Sequence, residues 1–328
     1  MPLTAVALLS GGLDSMLAVR ILQEQGTHVE AINFHTLFTC CQNQAALAAD
    51  ELGVRLTVIS QQDDYLELIR RPKHGYGRGA NPCVDCRVYM FQLARRFMTE
   101  VGAELVISGE VLGQRPMSQK RRQLATIARE AGLDDCLLRP LSAKLLPPTA
   151  AEVRGLIDRD RLYSFSGRSR KGLIELARQF GFRRVPSPST GCALTEPDFA
   201  RKVHDLVQLD PGGGRWDFEL LKVGRHVRLG PGTKVVLGRR AEENRWLESH
   251  FAQATSRAAA LLTPADFTGP ACLIIGQADD QAIDTAGGLL LRYAKHGSEG
   301  AQARLKTSTG ERLVAIGQSA EAENAVPL

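Results

Sequence analysis

The sequence predicts an α/β protein with a doubly wound parallel sheet and a smaller C-terminal α+β domain. The first observation is the alternation of short apolar runs with longer amphipathic runs over the first 110 residues, which is typical of a parallel sheet with helices on both faces. The second is LDPGGGRW (209–216), because no helix or central strand tolerates such a cluster of Pro and Gly. We therefore predict a first domain at residues 1–210 and a second at 211–328.

The first domain begins with AVALL (5–9), which is apolar throughout, as in a strand buried on both faces. Three further apolar or β-branched runs predict strands, and the amphipathic runs between them predict helices. The predicted strands are 5–9, 28–34, 54–60 and 104–110, and the predicted helices are about 14–25, 42–52 and 88–101.

The second domain contains short apolar runs around one long amphipathic run at about 242–262, which predicts a helix. The tail after Ser319 is predicted to be frayed. The predicted strands are HVRL, TKVVLG, ACLIIG, GLLLRY and RLVAIG.

Composition excludes several classes of protein. No apolar run reaches the roughly 18 residues of a membrane span, and the N-terminus lacks a charged segment before a cleavable apolar one, so we expect a cytoplasmic protein without a membrane partner. Seven cysteines, an odd number, do not indicate a disulfide scaffold and favour metal or sulfur chemistry. The net charge of +5 is compatible with nucleic acid but does not require it.

The segment SGGLDS (10–15) follows the first predicted strand, where a helix begins. Gly11 and Gly12 allow a tight turn that approaches a ligand closely, and the free N–H groups of the helix point into the same space. Asp14 and Ser15 can cap these groups, and the Ser10 and Ser15 hydroxyls add donors to a pyrophosphate. No GxxxxGK[ST] or GxGxxG motif is present here, which excludes a Walker loop and a dinucleotide loop. A simple strand-to-helix turn remains the alternative.

SGGLDS resembles the pyrophosphatase loop of the PP-loop ATPases, which have a Rossmann-like fold of the adenine nucleotide alpha hydrolase type. These enzymes split ATP into AMP and pyrophosphate while they adenylate a substrate. The resemblance implies ATP and Mg²⁺ as cofactors, with Asp14 as a catalytic residue. It also implies adenine contacts at the end of the second strand, by Asn33 and Phe34 and, less strongly, by His35.

The segment VISGEVLGQRPMSQ (106–119) is a strand followed by a polar loop rich in Gly and Gln. It resembles the GE-x-LGQ…SQ segment of the 4-thiouridine synthetases of transfer RNA, in which this loop lies across the sheet from the ATP loop. The resemblance implies cofactor binding by Gly109, Glu110 and Gln114. The sequence lacks the N-terminal RNA-binding extension and the rhodanese-like domain of better-known members, so we expect RNA binding and sulfur delivery to come from elsewhere.

Three cysteines are candidate catalytic and metal-binding residues. Cys83 and Cys86 lie three residues apart at the predicted start of a helix, so both sulfurs can face one side. The segment NPCVDC (81–86) resembles the NP-x-x-x-C turn of the 2-thiouridylases, and the STGC segment that ends at Cys192 resembles their STG-x-C loop. The pair also resembles the enzymes that hold an iron–sulfur cluster on C-x-x-C plus one distant Cys.

Three interpretations of these cysteines stay open. We expect first a [4Fe–4S] cluster with three protein ligands, which leaves one iron open for hydrosulfide. The second is a persulfide relay through Cys192 or Cys86, which needs depressed thiol pKa values. The third is a zinc site that adds His74 as the fourth ligand. Cys40 and Cys41 are interpreted as packed core residues.

Basic residues cluster in three runs, at 70–78, 115–122 and 166–171, beside the segments assigned to chemistry. Together they favour binding of transfer RNA through its phosphates. Residues 221–244 also resemble the small RNA-binding domain of the NFACT proteins. Its candidate phosphate contacts are Arg225, His226, Lys234, Arg239 and Arg240.

These resemblances imply an ATP-dependent thiouridine synthetase of transfer RNA, supplied by free sulfide or by a sulfur carrier protein. Two alternatives stay open: a PP-loop enzyme that inserts sulfur into a small molecule, and a non-catalytic RNA-binding or iron–sulfur protein. The modified ring position and the oligomeric state do not follow from the sequence.

Overall fold

The computed structural model describes residues 2–38, 43–188, 191–295 and 300–328. The chain forms two compact units. The first ends at Thr195, and the second begins at Glu196. In the ranges described, no helix has both the length and the apolar character needed to cross a membrane.

The first unit contains a five-stranded parallel sheet in the order β3-β2-β1-β4-β5. The predicted doubly wound fold is confirmed. The strand order reverses between β1 and β4, and in such sheets ligands bind at the carboxyl ends of the strands beside this reversal. The elements are β1 (Thr4–Leu8), α1 (Leu13–Gln23), β2 (His28–His35), α2 (Asn43–Leu52), β3 (Arg55–Ser60), α3 (Asp63–Arg70), α4 (Cys83–Glu100), β4 (Leu105–Ser108), α5 (Arg121–Ala131), β5 (Leu137–Leu138), α6 (Ala150–Val153) and α7 (Lys171–Gln179).

Strand β1 is buried on both faces, as its continuous apolar sequence predicts. Ala5 and Ala7 belong to the core cluster that includes Leu17 of α1, whereas Val6 belongs to the cluster that includes Phe91 of α4. Successive side chains of a strand point to opposite faces of the sheet, because a strand has a period of two residues. One five-residue strand therefore anchors both helical layers.

Four helices of this unit, α3, α5, α6 and α7, are not predicted from the sequence, and α4 begins earlier than predicted. Helix α4 starts at Cys83 instead of about residue 88, so both Cys83 and Cys86 are helical. Helix α5 begins inside a basic run, and α3 begins with two aspartates. Helices α3 and α5 have charged first turns, but their apolar residues recur with the 3.6-residue period of an amphipathic helix. This period is the sequence signal that identifies them.

The second unit contains a six-stranded antiparallel sheet in the order β11-β10-β8-β9-β7-β6, which confirms the predicted smaller α+β domain. Its elements are α8 (Pro197–Leu209), α9 (Arg215–Leu220), β6 (Arg225–Gly230), β7 (Thr233–Leu237), α10 (Ala241–Phe251), β8 (Ala258–Pro264), β9 (Cys272–Gly276), α11 (Asp280–Arg292), β10 (Gln302–Thr307), β11 (Gly310–Ala315) and α12 (Ala320–Asn324).

Three local predictions in this unit are wrong. The predicted strand GLLLRY lies in and just after α11, because a short apolar run does not distinguish a buried helix from a strand. The Asp279 side chain caps α11 by accepting a hydrogen bond from the Ala282 N–H at 2.8 Å. An aspartate just before a run of this kind is a sequence signal for the start of a helix. The helix predicted at about 242–262 ends at Phe251, and β8 follows. The tail after Ser319 is the short helix α12.

The division at 195/196 differs from the boundary predicted at 210/211. Helix α8 precedes the predicted boundary, yet its Asp205 carboxylate accepts hydrogen bonds from Arg228 of β6 at 2.9 and 2.6 Å. Lys234 of β7 lies 3.6 Å from the same carboxylate. The Pro/Gly segment therefore turns the chain between α8 and α9 inside one unit.

Candidate active site

The SGGLDS segment forms a tight turn between β1 and α1. Gly11 has φ 78°, and a Cβ there would lie 2.5 Å from the carbonyl carbon of Gln44, so the position requires glycine. Gly12 occupies the N-cap position of α1 without a side-chain cap. The first free N–H groups of α1 therefore stay available to an anion.

The two serines of the turn face each other. The Ser15 hydroxyl donates to the Gly12 carbonyl at 2.8 Å, and the Ser10 and Ser15 hydroxyl oxygens are 3.3 Å apart. The Gly12 N–H donates to the Ser10 hydroxyl at 3.4 Å. These bonds hold the turn in one conformation, in keeping with the predicted phosphate site, whose ligand remains a prediction.

Gly109, at the end of β4, lies against the first turn of α1. A Cβ on Gly109 would fall far inside van der Waals distance of the Asp14 carbonyl carbon and the Ser15 nitrogen. Because both neighbours are backbone atoms of a helix, they cannot move aside cheaply. The absence of a side chain at Gly109 therefore sets the spacing between β4 and the turn.

We expect Gly109→Ala to lower the free energy of unfolding by about 1–3 kcal/mol, because the added methyl group overpacks this contact. The same displacement of α1 should weaken ATP binding. Denaturant unfolding and titration calorimetry with ATP measure the two effects. Gly317→Ala is the matched control, since a Cβ there meets nothing within 4 Å. A Gly109→Ala protein with unchanged stability and ATP binding would contradict the prediction.

Asp14 is the charged residue of the turn. Its Oδ2 accepts a hydrogen bond from the Gln114 side chain at 2.9 Å, which ties the 110–119 loop to α1. Its Oδ1 is buried and has no hydrogen-bond partner within the described part of the chain. An unpaired carboxylate oxygen is the donor that Mg²⁺ prefers. The residues present therefore fit the implied Mg²⁺.

Glu110 is 2% exposed and lies among arginines. Its Oε2 accepts a hydrogen bond from Arg139 Nε at 2.9 Å, and Arg87 Nε lies 3.7 Å from its Oε1. This carboxylate thus fixes two guanidinium groups at the carboxyl edge of the sheet. Neither Arg87 nor Arg139 was predicted from the sequence. The position of Arg87 directly after Cys86 is a sequence signal for that residue, and Arg139 has none.

The end of β2 is the predicted adenine edge. The Asn33 side chain donates to the Leu9 carbonyl at 2.8 Å, so it braces the start of the turn. Phe34 is half-buried, and the buried Nε2 of His35 has no hydrogen-bond partner among the described residues. The Asn33 amide NH2 is thus used inside the fold, and the adenine role of all three residues stays a prediction.

The structure brings the three candidate cysteines together around Tyr65. Cys83 and Cys86 lie on the first turn of α4, and the Ala80 N–H donates to the Leu194 carbonyl at 2.9 Å, which joins this turn to the Cys192 loop. The Tyr65 hydroxyl is 3.3 Å from Cys86 Sγ. Burial first, and then the charges of Cys86, Cys192 and Cys83, raise the pKa of Tyr65 well above its usual value.

The pKa values of the Cys83 and Cys86 thiols do not match those that the persulfide alternative needs. Burial raises the pKa of both Cys83 and Cys86, against the lowering effect of the Arg87 charge. A sulfur carrier needs a depressed pKa, so the observed direction is opposite. The predictions for Cys40, Cys41 and the first two residues of STGC concern residues outside the described ranges.

The described residues contain no group of three or more His, Cys, Asp or Glu side chains placed to hold a single metal ion. His74, the proposed fourth zinc ligand, has its Nε2 3.1 Å from Glu130 Oε2 instead. A four-iron cluster binds each thiolate through a different iron, and hence at wider separations than one ion does. The three cysteines supply donors of the kind that such a cluster takes, and the cluster itself stays a prediction.

Two candidate RNA contacts of the second unit are wrong. His226 is fully buried, and Lys234 is 3% exposed and paired with Asp205 and Asp210, so neither can reach a phosphate. Arg240 is exposed, and Arg239 is exposed beside Glu243. The Arg225 guanidinium lies 4.6 Å from the centre of the Tyr293 ring. These three arginines remain as candidates.

Comparison with known proteins gives two family matches. Residues 3–144 match the family described as thiamine biosynthesis protein (ThiI). Residues 224–324 match the family described as NFACT protein RNA binding domain. The two matches cover different parts of the chain and correspond to the two resemblances drawn from the sequence.

Among individual proteins, the tRNA-specific 2-thiouridylase MnmA of Sulfurimonas denitrificans is 30% identical over 116 residues, which are 32% of this chain and 33% of that protein. MnmA of Pelobacter propionicus is 33% identical over 115 residues, 32% of each chain. The chain thus spans about a third of the length of these relatives. A solved 4-thiouridine synthetase–RNA complex with bound ATP is 20% identical, with a TM-score of 0.39, over 64% of this chain and 51% of that one. Residues 3–144 are therefore similar to the ThiI family, and residues 224–324 are similar to the NFACT RNA-binding-domain family.

Proposed function

We propose that this protein is an ATP-dependent thiouridine synthetase of transfer RNA, which forms AMP and pyrophosphate. The observation that carries the proposal is the presence, in one unit, of a phosphate-type turn with an unpaired Asp14 oxygen and of three cysteines around one tyrosine. The Gln114 bond to Asp14 and the Arg87 contact with Glu110 connect the two sites. The match to the ThiI family and the similarity to the MnmA relatives support the same reaction class.

The reaction requires two displacements. The carbonyl oxygen of a uridine attacks the α-phosphorus of ATP, an O–P bond forms, and pyrophosphate leaves. Hydrosulfide at the cysteine site then attacks the ring carbon, a C–S bond forms, and the C–O bond breaks, so that AMP leaves with the former carbonyl oxygen. No oxidant or reductant is needed. Adenylation is required because the carbonyl oxygen alone is a poor leaving group.

The residues of the chain have separate tasks in this scheme. The N–H groups at the start of α1 and the Ser10 and Ser15 hydroxyls bind the phosphates and stabilise the charge that develops on them. Bound Mg²⁺ would neutralise the same charge, and Asp14 would hold it. A [4Fe–4S] cluster on the three cysteines would supply an open iron for hydrosulfide.

The second unit supports RNA as the substrate. It matches an RNA-binding-domain family, and its exposed Arg240 is suited to a phosphate contact, whereas Arg239 is paired with Glu243 at 2.8 Å. In the first unit, Lys73 is neutralised by Glu130 at 2.9 Å and Arg71 by Glu67 at 3.6 Å, so the 70–78 run contributes less positive charge than its sequence suggests. We therefore assign most of the RNA affinity to the second unit.

The test is ATP turnover by the full chain, purified without oxygen, in the presence of sulfide and bulk transfer RNA. We expect AMP to form only when RNA is added and the digested RNA to contain thiouridine. AMP formation that is independent of RNA would favour sulfur insertion into a small molecule. RNA binding without AMP formation would favour the non-catalytic alternative.

A further inference from the structure

Arg87 lies between the two parts of the candidate site. It follows Cys86 on the first turn of α4, and its Nε is 3.7 Å from Glu110 Oε1. Glu110 is itself held by the buried Arg139 at 2.9 Å. The Arg87 guanidinium is therefore fixed at one end of the cysteine pair, on the side that faces the loop after β4.

Arg115 approaches the same place from the 110–119 loop. It follows Gln114, whose side chain holds Asp14, and its own backbone is fixed by Gln119. The Arg115 N–H donates to the Gln119 side chain at 3.0 Å, and the Arg115 carbonyl accepts from the Gln119 N–H at 2.9 Å. Across the described residues, the Arg115 side chain makes no hydrogen bond and no ion pair, and it remains exposed.

Arg87 and Arg115 belong to two segments that meet at this place, because Arg87 contacts Glu110, and Gln114, the residue before Arg115, holds Asp14. Loss of hydration first, and then the Arg87 charge, lower the pKa of Arg115, while Cys83, Asp14 and Glu110 act in the opposite direction. Loss of hydration is the larger of these two effects, and the guanidinium stays protonated because its ordinary pKa is so high. Three guanidinium groups, of Arg87, Arg115 and Arg139, lie here with two carboxylates, of Glu110 and Asp14, which leaves a surplus of positive charge that an anion would neutralise.

We propose that Arg87 and Arg115 bind the phosphate that links adenosine to the activated base, and thereby orient that base toward the cysteines. The inference rests on the proposed function and adds two phosphate-binding residues to it. Guanidinium groups match phosphate oxygens in pairs, and they stabilise the second negative charge that AMP acquires when it leaves. The position beside Asp14 favours the nucleotide phosphate over the RNA backbone.

The experiment compares the binding of AMP and of adenosine, since only AMP carries the phosphate. Calorimetry is performed on the full chain, on Arg87→Ala and on Arg115→Ala. We expect each substitution to weaken AMP binding about tenfold to a hundredfold and to leave adenosine binding unchanged, as for loss of a charge-assisted hydrogen bond. Arg115→Lys should recover part of the loss. Arg178→Ala, on the exposed face of α7, is the matched control and should bind both ligands like the wild type.

The outcomes separate this inference from the proposed function. If both alanine variants keep the wild-type preference for AMP over adenosine, Arg87 and Arg115 do not bind the nucleotide phosphate, although the ATP site stands. If the variants lose only affinity for transfer RNA, the pair contacts the RNA backbone and the inference is wrong. If the wild type binds neither ATP nor AMP, the ATP-dependent function itself fails, and the inference fails with it.

Discussion

Asp14→Asn is expected to reduce RNA-dependent AMP and pyrophosphate formation by about a hundredfold to a thousandfold. The substitution keeps the shape of the side chain and an oxygen for the Gln114 bond, but it removes the charge at the start of α1. Loss of one group that stabilises developing charge has an effect of this size. The dependence of ATP binding on Mg²⁺ should weaken in parallel. Initial rates of pyrophosphate release, measured across a Mg²⁺ series, test both expectations.

We expect the Asp14→Asn variant to lose activity without losing stability. The Asp14 Oδ1 is buried without a hydrogen-bond partner in the described structure, so changing this atom breaks no hydrogen bond of the unliganded protein. We therefore expect a melting temperature equal to or above that of the wild type, which separates loss of chemistry from misfolding. Asp198→Asn is the matched control, because Asp198 is an exposed aspartate in the first turn of α8. Wild-type pyrophosphate release by Asp14→Asn would overturn the phosphate-turn assignment.

Cys86→Ser and Cys192→Ser are each expected to lower thiouridine formation by about a thousandfold or more while AMP formation continues. The two cysteines act after adenylation in the proposed reaction, so their loss uncouples ATP use from sulfur transfer, and each single change should cost nearly as much as both. Nucleoside analysis of the RNA and AMP release are measured in the same reaction. Cys136→Ser is the matched control, since Cys136 is also a half-buried thiol of the first unit.

Metal analysis of the same proteins distinguishes the mechanisms. About four irons per chain after anaerobic purification, lost in Cys192→Ser, would support a cluster on Cys83, Cys86 and Cys192. Zinc in place of iron would restore the zinc alternative. Absence of both metals, together with unimpaired thiouridine formation by Cys192→Ser, would remove Cys192 from the sulfur-transfer site.

Much of the first unit follows from local rules. The alternation of apolar and amphipathic runs predicts the parallel sheet, because each strand and helix must bury its own apolar face. The glycines of SGGLDS predict the tight turn, since only glycine fits at Gly11. The grouping of Cys83, Cys86 and Cys192 was expected from motif resemblance. In the structure the Tyr65 hydroxyl lies 3.3 Å from Cys86 Sγ, and the shared site of the three cysteines stays a prediction.

Other features of the candidate site depend on packing between distant segments. Tyr65 and Arg139 come from helix and loop segments that carry no motif, and their roles follow only from contacts with Cys86 and Glu110. His226 and Lys234 are likewise buried by the sheet of the second unit and by α8. Two residues that were predicted to contact RNA therefore make contacts inside the protein instead. Sequence position alone does not say which face of a strand is covered.

By itself, the sequence determined the parallel α/β fold and the tight turn at SGGLDS, because period and glycine positions act over a few neighbouring residues, whereas the cysteine set was predicted from motif resemblance. Only the tertiary structure decided that GLLLRY lies in and just after α11 and that Arg87 contacts Glu110. It also decided that α8 joins the second unit. These outcomes depend on long-range contacts, in which segments far apart in the chain compete for the same buried space and the same charges.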